Sequence, residues 1–232
     1  MKKVLGLAIS FCMLFGTVFA KGVYDGDIQL HLGLGLDSAK AVAEESFRGR
    51  TVKNTIKSGS TTVDFELSTW HLFDVNDLIG VGFNLGFSGG FGKTSKMTVS
   101  NVPMPSDWLS FAGHFNGLIG PAVGFTLNDV IKFDLAVGFA YGLDLYSYEY
   151  ENYDRYSRST GIDTYMIFGA GFGCDVQAKF FPKSVVSPVL GYRLSSIFSS
   201  EVISSDLDSF SGYWDSVNYI ANEIYLGVSF NW

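Results

Sequence analysis

IKFDLAVGFAYGLDL, residues 131–145, changes character at every step. Ile131, Phe133, Leu135, Val137, Phe139, Tyr141, Leu143 and Leu145 fall on one face. Lys132, Asp134, Ala136, Gly138, Ala140, Gly142 and Asp144 fall on the other. A period of two is that of a β-strand. In a soluble sandwich the outward face would be polar and charged. Here one face is wholly apolar, while the other is small with scattered charge. The apolar face needs an apolar medium, and the small residues suit a narrow interior. The stretch therefore predicts a strand in a barrel wall with lipid outside.

The same alternation recurs on both sides of it. Earlier strands are predicted near 27–36, 62–73, 79–91 and 108–125, and later ones near 165–180, 186–198 and from about Tyr219. In the first, Ile28, Leu30, Leu32, Leu34 and Leu36 oppose Gln29, His31, Gly33 and Gly35. The fourth is the least regular. Leu109, Phe111, Phe115, Ile119 and Val123 are assigned outward, and Pro121, which cannot donate a ladder bond, is expected near a rim. The connections alternate. Short ones fall at 74–77, 126–129 and 182–184; long loops are expected at 37–60, 92–107, 148–163 and 199–216. Short periplasmic turns, four longer extracellular loops and an even count predict an eight-stranded antiparallel transmembrane β-barrel.

The ends carry two export signals. Lys2 and Lys3 precede an apolar run from Val4 to Phe19, which closes in the small-x-small pattern Val18-Phe19-Ala20. This reads as a cleavable signal peptide over residues 1–20, leaving the barrel as residues 21–232. The run is shorter than the roughly 20 residues a spanning helix needs. At the other end, Ile224, Leu226, Val228, Phe230 and Trp232 make a lipid-facing row ending in aromatics.

Removing residues 1–20 takes Lys2 and Lys3 with it, so the formal charge moves from −7 to −9. So acidic a chain is a poor nucleic-acid binder. Cys174 is then the one remaining cysteine, which excludes an internal disulfide. With 27 Gly, 21 Phe and 17% charged residues, the composition suits a barrel that is apolar outside and small inside.

Candidate chemistry is sparse. Asp64, Glu66, Lys132, Asp134, Asp144, Asp175, Lys179, Arg193 and Glu223 are assigned to the lumen, with acids in excess. They are read as a plug of paired ions, because an isolated buried charge is costly. The alternative is a polar, cation-preferring pathway. His31 and His114 are expected inside and His71 near the periplasmic end of its strand, with no metal-binding spacing among them. No catalytic residue, metal or cofactor is expected. Lys40, Arg48, Arg50, Lys53 and Lys57 in the first loop suit the phosphates of lipopolysaccharide or another polyanion. Tyr146, Tyr148, Tyr150, Tyr153 and Tyr156 suit an interfacial girdle or a binding surface.

Residues 21–232 resemble the small bacterial outer-membrane barrels of the OmpA-barrel, OmpX and OmpW kinds. The residue-level match is the C-terminal assembly signal, polar-x-Gly-x-x-aromatic-x-aromatic. Tyr225, Gly227, Phe230 and Trp232 occupy it, with Trp where the family prefers Phe. The resemblance implies a monomeric outer-membrane surface protein acting through extracellular loops, among them Arg48, Arg50, Lys53, Tyr148, Tyr150 and Tyr153. It implies outer-membrane lipid and an extracellular ligand or host surface as partners. Barrel assembly machinery and periplasmic chaperones would serve during biogenesis. A narrow channel or OmpW-like transporter of small, hydrophobic molecules is the alternative reading. A lipid-modifying enzyme is the third, though none of that class's motifs can be matched.

Overall fold

In the computed structural model the alternating stretches are strands, each hydrogen-bonded antiparallel to the next. The structure describes residues 24–47, 50–106, 108–154, 157–204 and 213–232. Within these, the side chains at 43–47, 50–52, 54, 99, 150–154, 157–160, 163, 199–204 and 213–216 lie outside the description. The strands are β1 (Tyr24–Phe47), β2 (Arg50–Asp74), β3 (Ile79–Val99), β4 (Val102–Pro103), β5 (Leu109–Thr126), β6 (Ile131–Asp154), β7 (Ser157–Phe180), β8 (Val186–Ser204) and β9 (Tyr213–Asn231). β4 is a two-residue return against the end of β3. The other eight close into a ring, since β2 pairs with β3 and β1 with β9.

The register fixes the dimensions of that ring. Ile28 is followed across the sheet by Thr69, Leu85, Ile119, Phe139, Phe172, Ser196 and Ile220. The walk returns to β1 at Ser38, ten residues beyond its start. A stagger of that size tilts the strands by roughly 40° and leaves a bore that side chains can fill. The outward rows are apolar: Leu34 is 61% exposed, Phe172 66% and Leu226 64%. From Tyr24 to Leu36 is about 40 Å along the strand, or about 30 Å along the axis at that tilt. That is the thickness of a bilayer's hydrocarbon core. A continuous apolar belt is untenable in water and is the proper surface in lipid. Among the described residues no helix is long and apolar enough to cross a membrane.

Several expectations are corrected. Residues 37–60 and 148–163 are mostly strand: β1 pairs with β2 from Asp37↔Ser60 up to Phe47↔Arg50, and β6 with β7 up to Asp154↔Ser157. The ladder continues because the inward positions there stay small or apolar (Ala39, Ala41 and Ile56) while the outward ones turn polar. Leu109 is inward and buried, because a bulge between Leu109 and Ala112 reverses its facing. Tyr146 belongs to no girdle; it is fully buried inside. Pro121 lies within β5, opposite Phe83, and the β5–β6 ladder has no partners at Gly120 and Pro121. The break lets a proline stand in the wall without stranding a donor's partner.

Candidate functional site

Within the apolar belt the strands carry their charge on the lumen side. Asp64, Glu66, Lys132, Asp134, Asp144, Asp175, Lys179, Arg193 and Glu223 are all buried inside. Period two puts them there, since each alternates with a lipid-facing residue.

They form three layers. At the short-turn end Lys132 bonds Asp25 and stands 3.7 Å from Asp134 Oδ1. Lys179 bonds Asp27, whose Oδ2 also accepts from Ser229 Oγ and Gln29 Nε2, each at 2.9 Å. Gln177 Nε2 donates to Asp134 at 3.0 Å. Trp70 and Leu72 pack nearby on Ala122 and Ala136.

The middle layer is a clamp. Asp175 and Arg193 are direct cross-strand partners, and Glu66 reaches Arg193 from across the bore. Arg193 Nη2 lies 2.6 Å from Asp175 Oδ2 and also bonds Glu66 Oε1; its Nε donates to the same Asp175 oxygen at 3.2 Å. Tyr225 donates its hydroxyl to Asp175 Oδ1 at 2.6 Å. His31 stacks on the Tyr225 ring, centroids 4.2 Å apart, with Nδ1 3.2 Å from Glu66 Oε2. Two glycines make the room. A Cβ at Gly86 would stand 2.5 Å from Arg193 Nη2, and one at Gly191 would overlap the Tyr225 ring.

Above the clamp, His114 sits between Asp37 (Nδ1 to Oδ2, 2.9 Å) and Asp64 (Nε2 to Oδ1, 3.5 Å). Asn116 Nδ2 donates to the Tyr219 hydroxyl at 3.0 Å. A cavity of about 10 Å³ remains between Asp37, Asp64, His114, Arg193 and Glu223, room for about one water. An apolar layer closes the top: Tyr146 stacks on Tyr165, centroids 5.3 Å apart, packed with Leu109, Ile167, Ile197 and Val217. Asp25, Asp27, Asp37 and Tyr225 complete this network, and sequence reasoning had not assigned them to it. Carrying the alternation beyond the charged positions would have placed Trp70, Leu72, Tyr146 and Tyr219 inside.

Of the assembly-signal residues, Tyr225 and Gly227 face the lumen, with His31 lying over Gly227, while Phe230 and Trp232 face outward. Among the loop residues, Lys53 is exposed and Tyr148 is half-buried against the upper apolar cluster. Arg48 and the side chains of Arg50, Tyr150 and Tyr153 lie outside the described residues, as do the signal peptide and Tyr156.

On the lipid-facing wall His71 stacks on Phe83 and bonds the Tyr24 hydroxyl and Thr69 Oγ1. Thr69 already donates to the carbonyl of Asp27 at 2.7 Å. His71 Nε2–H therefore donates to Thr69, and Nδ1 accepts from Tyr24. Both ring nitrogens of His71 are thereby satisfied by neighbouring hydroxyls.

These features define a class, a transmembrane antiparallel β-barrel with a filled, charged lumen. Solved structures similar to it include bacterial outer-membrane proteins. Ail, the attachment invasion locus protein of Yersinia pestis, is 12% identical at a TM-score of 0.42, over 91% of this chain and 99% of that one. The outer membrane protease OmpT of Escherichia coli is 11% identical at 0.39, over 90% and 96%. The outer membrane protein AlkL is 11% identical at 0.42, over 89% and 90%. No family model matches the sequence. No curated protein matches it either.

Proposed function

We propose that the protein is a monomeric outer-membrane barrel that anchors and displays its long hairpins, with a lumen that serves as a plug. The observation supporting this is Arg193, buried and held by carboxylates from both sides of the bore. Charge-assisted bonds of this kind are strong and fix geometry. The ring is closed and has no free edge for a second copy to extend. Contacts with an extracellular ligand or host surface then fall to the hairpins. The test is conductance of refolded protein in planar bilayers. A silent bilayer is expected, and stable single channels overturn the plug.

A narrow cation-preferring channel or small-molecule transporter is the second reading. Buried acids favour it: Asp27, Asp37, Asp64, Glu66, Asp134, Asp144, Asp175 and Glu223 face the cations Lys132, Lys179 and Arg193. Export follows the sequence signals in this proposal. Residues 1–20 are removed, and Tyr225, Gly227, Phe230 and Trp232 are read by the barrel assembly machinery after periplasmic chaperones deliver the chain. N-terminal sequencing of protein from membrane fractions should begin at Lys21; a chain starting at Met1 would refute cleavage.

A further inference from the structure

Above the apolar belt the outer wall turns basic where β1, β2 and β3 adjoin. Outward residues of β1 run Leu34, Leu36, Ser38, Lys40. Those of β2 run Phe65, Val63, Thr61, Gly59, Lys57. Lys40 and Lys57 are direct cross-strand partners. Like charges directly opposite each other destabilise a sheet. Their flanking partners bring no relief: Lys40 also faces Asn218 and Lys57 faces Thr98. On β3 a third lysine joins them. Lys96 lies across Gly59, its Cε 2.8 Å from where a Cβ would stand. Lys93 stands opposite Thr61, nearer the belt.

No acidic side chain is among the residues lining this concavity, which measures about 530 Å³ and includes Ser38, Lys40, Lys57, Lys96, Thr98 and Asn218. Among the described residues none of Lys40, Lys57 and Lys96 has a carboxylate within ion-pair distance. The arrangement is a basic cup with no counter-charge among the described side chains that line it. Its height says which anion. Lys40 lies four residues past Leu36, which is about 13 Å along the strand and about 10 Å along the axis at the barrel's tilt. That is headgroup depth above a hydrocarbon core, and lysine ammoniums reach down to it on flexible stems. Ile220, on the floor of the cup, continues the lipid-facing row of β9.

We infer that Lys40, Lys57 and Lys96 form a site on the barrel wall for the phosphates of a lipid headgroup in the leaflet at the long-hairpin end. The inference rests on the membrane embedding proposed above and is independent of whether the lumen conducts. An acyl chain runs down the belt below Ile220 and Leu36, and the phosphate bridges the opposed lysines. The site thus selects a phosphorylated lipid from its surroundings and supports the base of the β1–β2 hairpin.

The test is titration of detergent-folded protein with a bisphosphorylated lipid A, read by native mass spectrometry. Wild type should retain the lipid, and lipid A stripped of its phosphates should not be retained. The variant Lys40→Gln/Lys57→Gln/Lys96→Gln should bind on the order of a hundredfold more weakly, the combined effect of three surface lysines. Heat-modifiable migration of the variant should match wild type, which separates loss of the site from loss of the barrel. The dephosphorylated lipid tests the idea on wild type alone, should the variant fold poorly. Equal retention of both lipids, or equal affinity of variant and wild type, overturns the inference. Full displacement by inorganic phosphate at equal concentration, or preference for a soluble polyanion such as heparin over the lipid, overturns it too.

Discussion

Arg193 shows what a single residue does in this interior. Its side chain is 3% exposed, and its guanidinium answers Glu66 and Asp175 together. Removing one member of a buried ion cluster typically costs about 3–5 kcal/mol, because the abandoned charges cannot reach water. Arg193→Ala is therefore expected to lower unfolding stability in micelles by that amount, as a shift in the urea midpoint. Lys183 makes the contrast. It pairs with Asp129 at 2.6 Å on a short turn, where that hydrogen bond pushes its ammonium above the usual range, yet both side chains are exposed. Exposed pairs contribute little, so Lys183→Gln should leave the same midpoint unmoved. Tyr225→Phe removes one donor to Asp175 and should cost about 1–3 kcal/mol. The inward position of Arg193 was legible in the alternation. Its partners were not, because a pairing across the bore depends on register and shear, which a period of two does not encode.

At the scale of elements, the alternation placed each ring strand but misjudged where strands stop. Polar outward residues such as Ser38, Lys40 and Thr61 resemble a loop in sequence. Their inward neighbours Ala39, Ala41, Ile56 and Ser58 remain fit for a barrel interior, and the ladder continues. Pro121 misled in the opposite sense, since a local break in one ladder accommodates it. The upper part of the β1–β2 hairpin pairs only with itself and, through Ala43↔Trp214 and Glu44↔Tyr213, with β9. The lumen clamp lies well below it. Replacing residues 44–53 with a two-residue turn should therefore preserve heat-modifiable migration and the unfolding midpoint. Loss of the folded band in that variant would show that the hairpin takes part in closing the barrel.

For the whole molecule, ring size and lumen content constrain each other. Eight strands with a shear of ten leave a bore of side-chain width, and ionic layers with aromatic packing above and below the clamp fill it. The ionic clamp is the central one. Trp70 and Leu72 lie towards the short turns, and Tyr146 on Tyr165 lies towards the long hairpins. This stacking makes a prediction that charge placement alone does not. If the clamp were the only seal, Arg193→Ala would open a path lined by Glu66, Asp175 and Glu223 and pass cations. With Trp70 packed beside the Lys132 and Lys179 ion pairs on one side and the Tyr146–Tyr165 layer on the other, the same variant loses stability and stays silent, because ions do not pass the aromatic packing without shedding their hydration. Conductance should appear only when all three are cut, as in Arg193→Ala/Trp70→Ala/Tyr146→Ala, and it should favour cations, since the exposed wall is acidic. Planar-bilayer recordings of the single and triple variants decide between these models. Steady cation current through Arg193→Ala alone would show that the aromatic layers do not seal, and that one arginine gates a pathway.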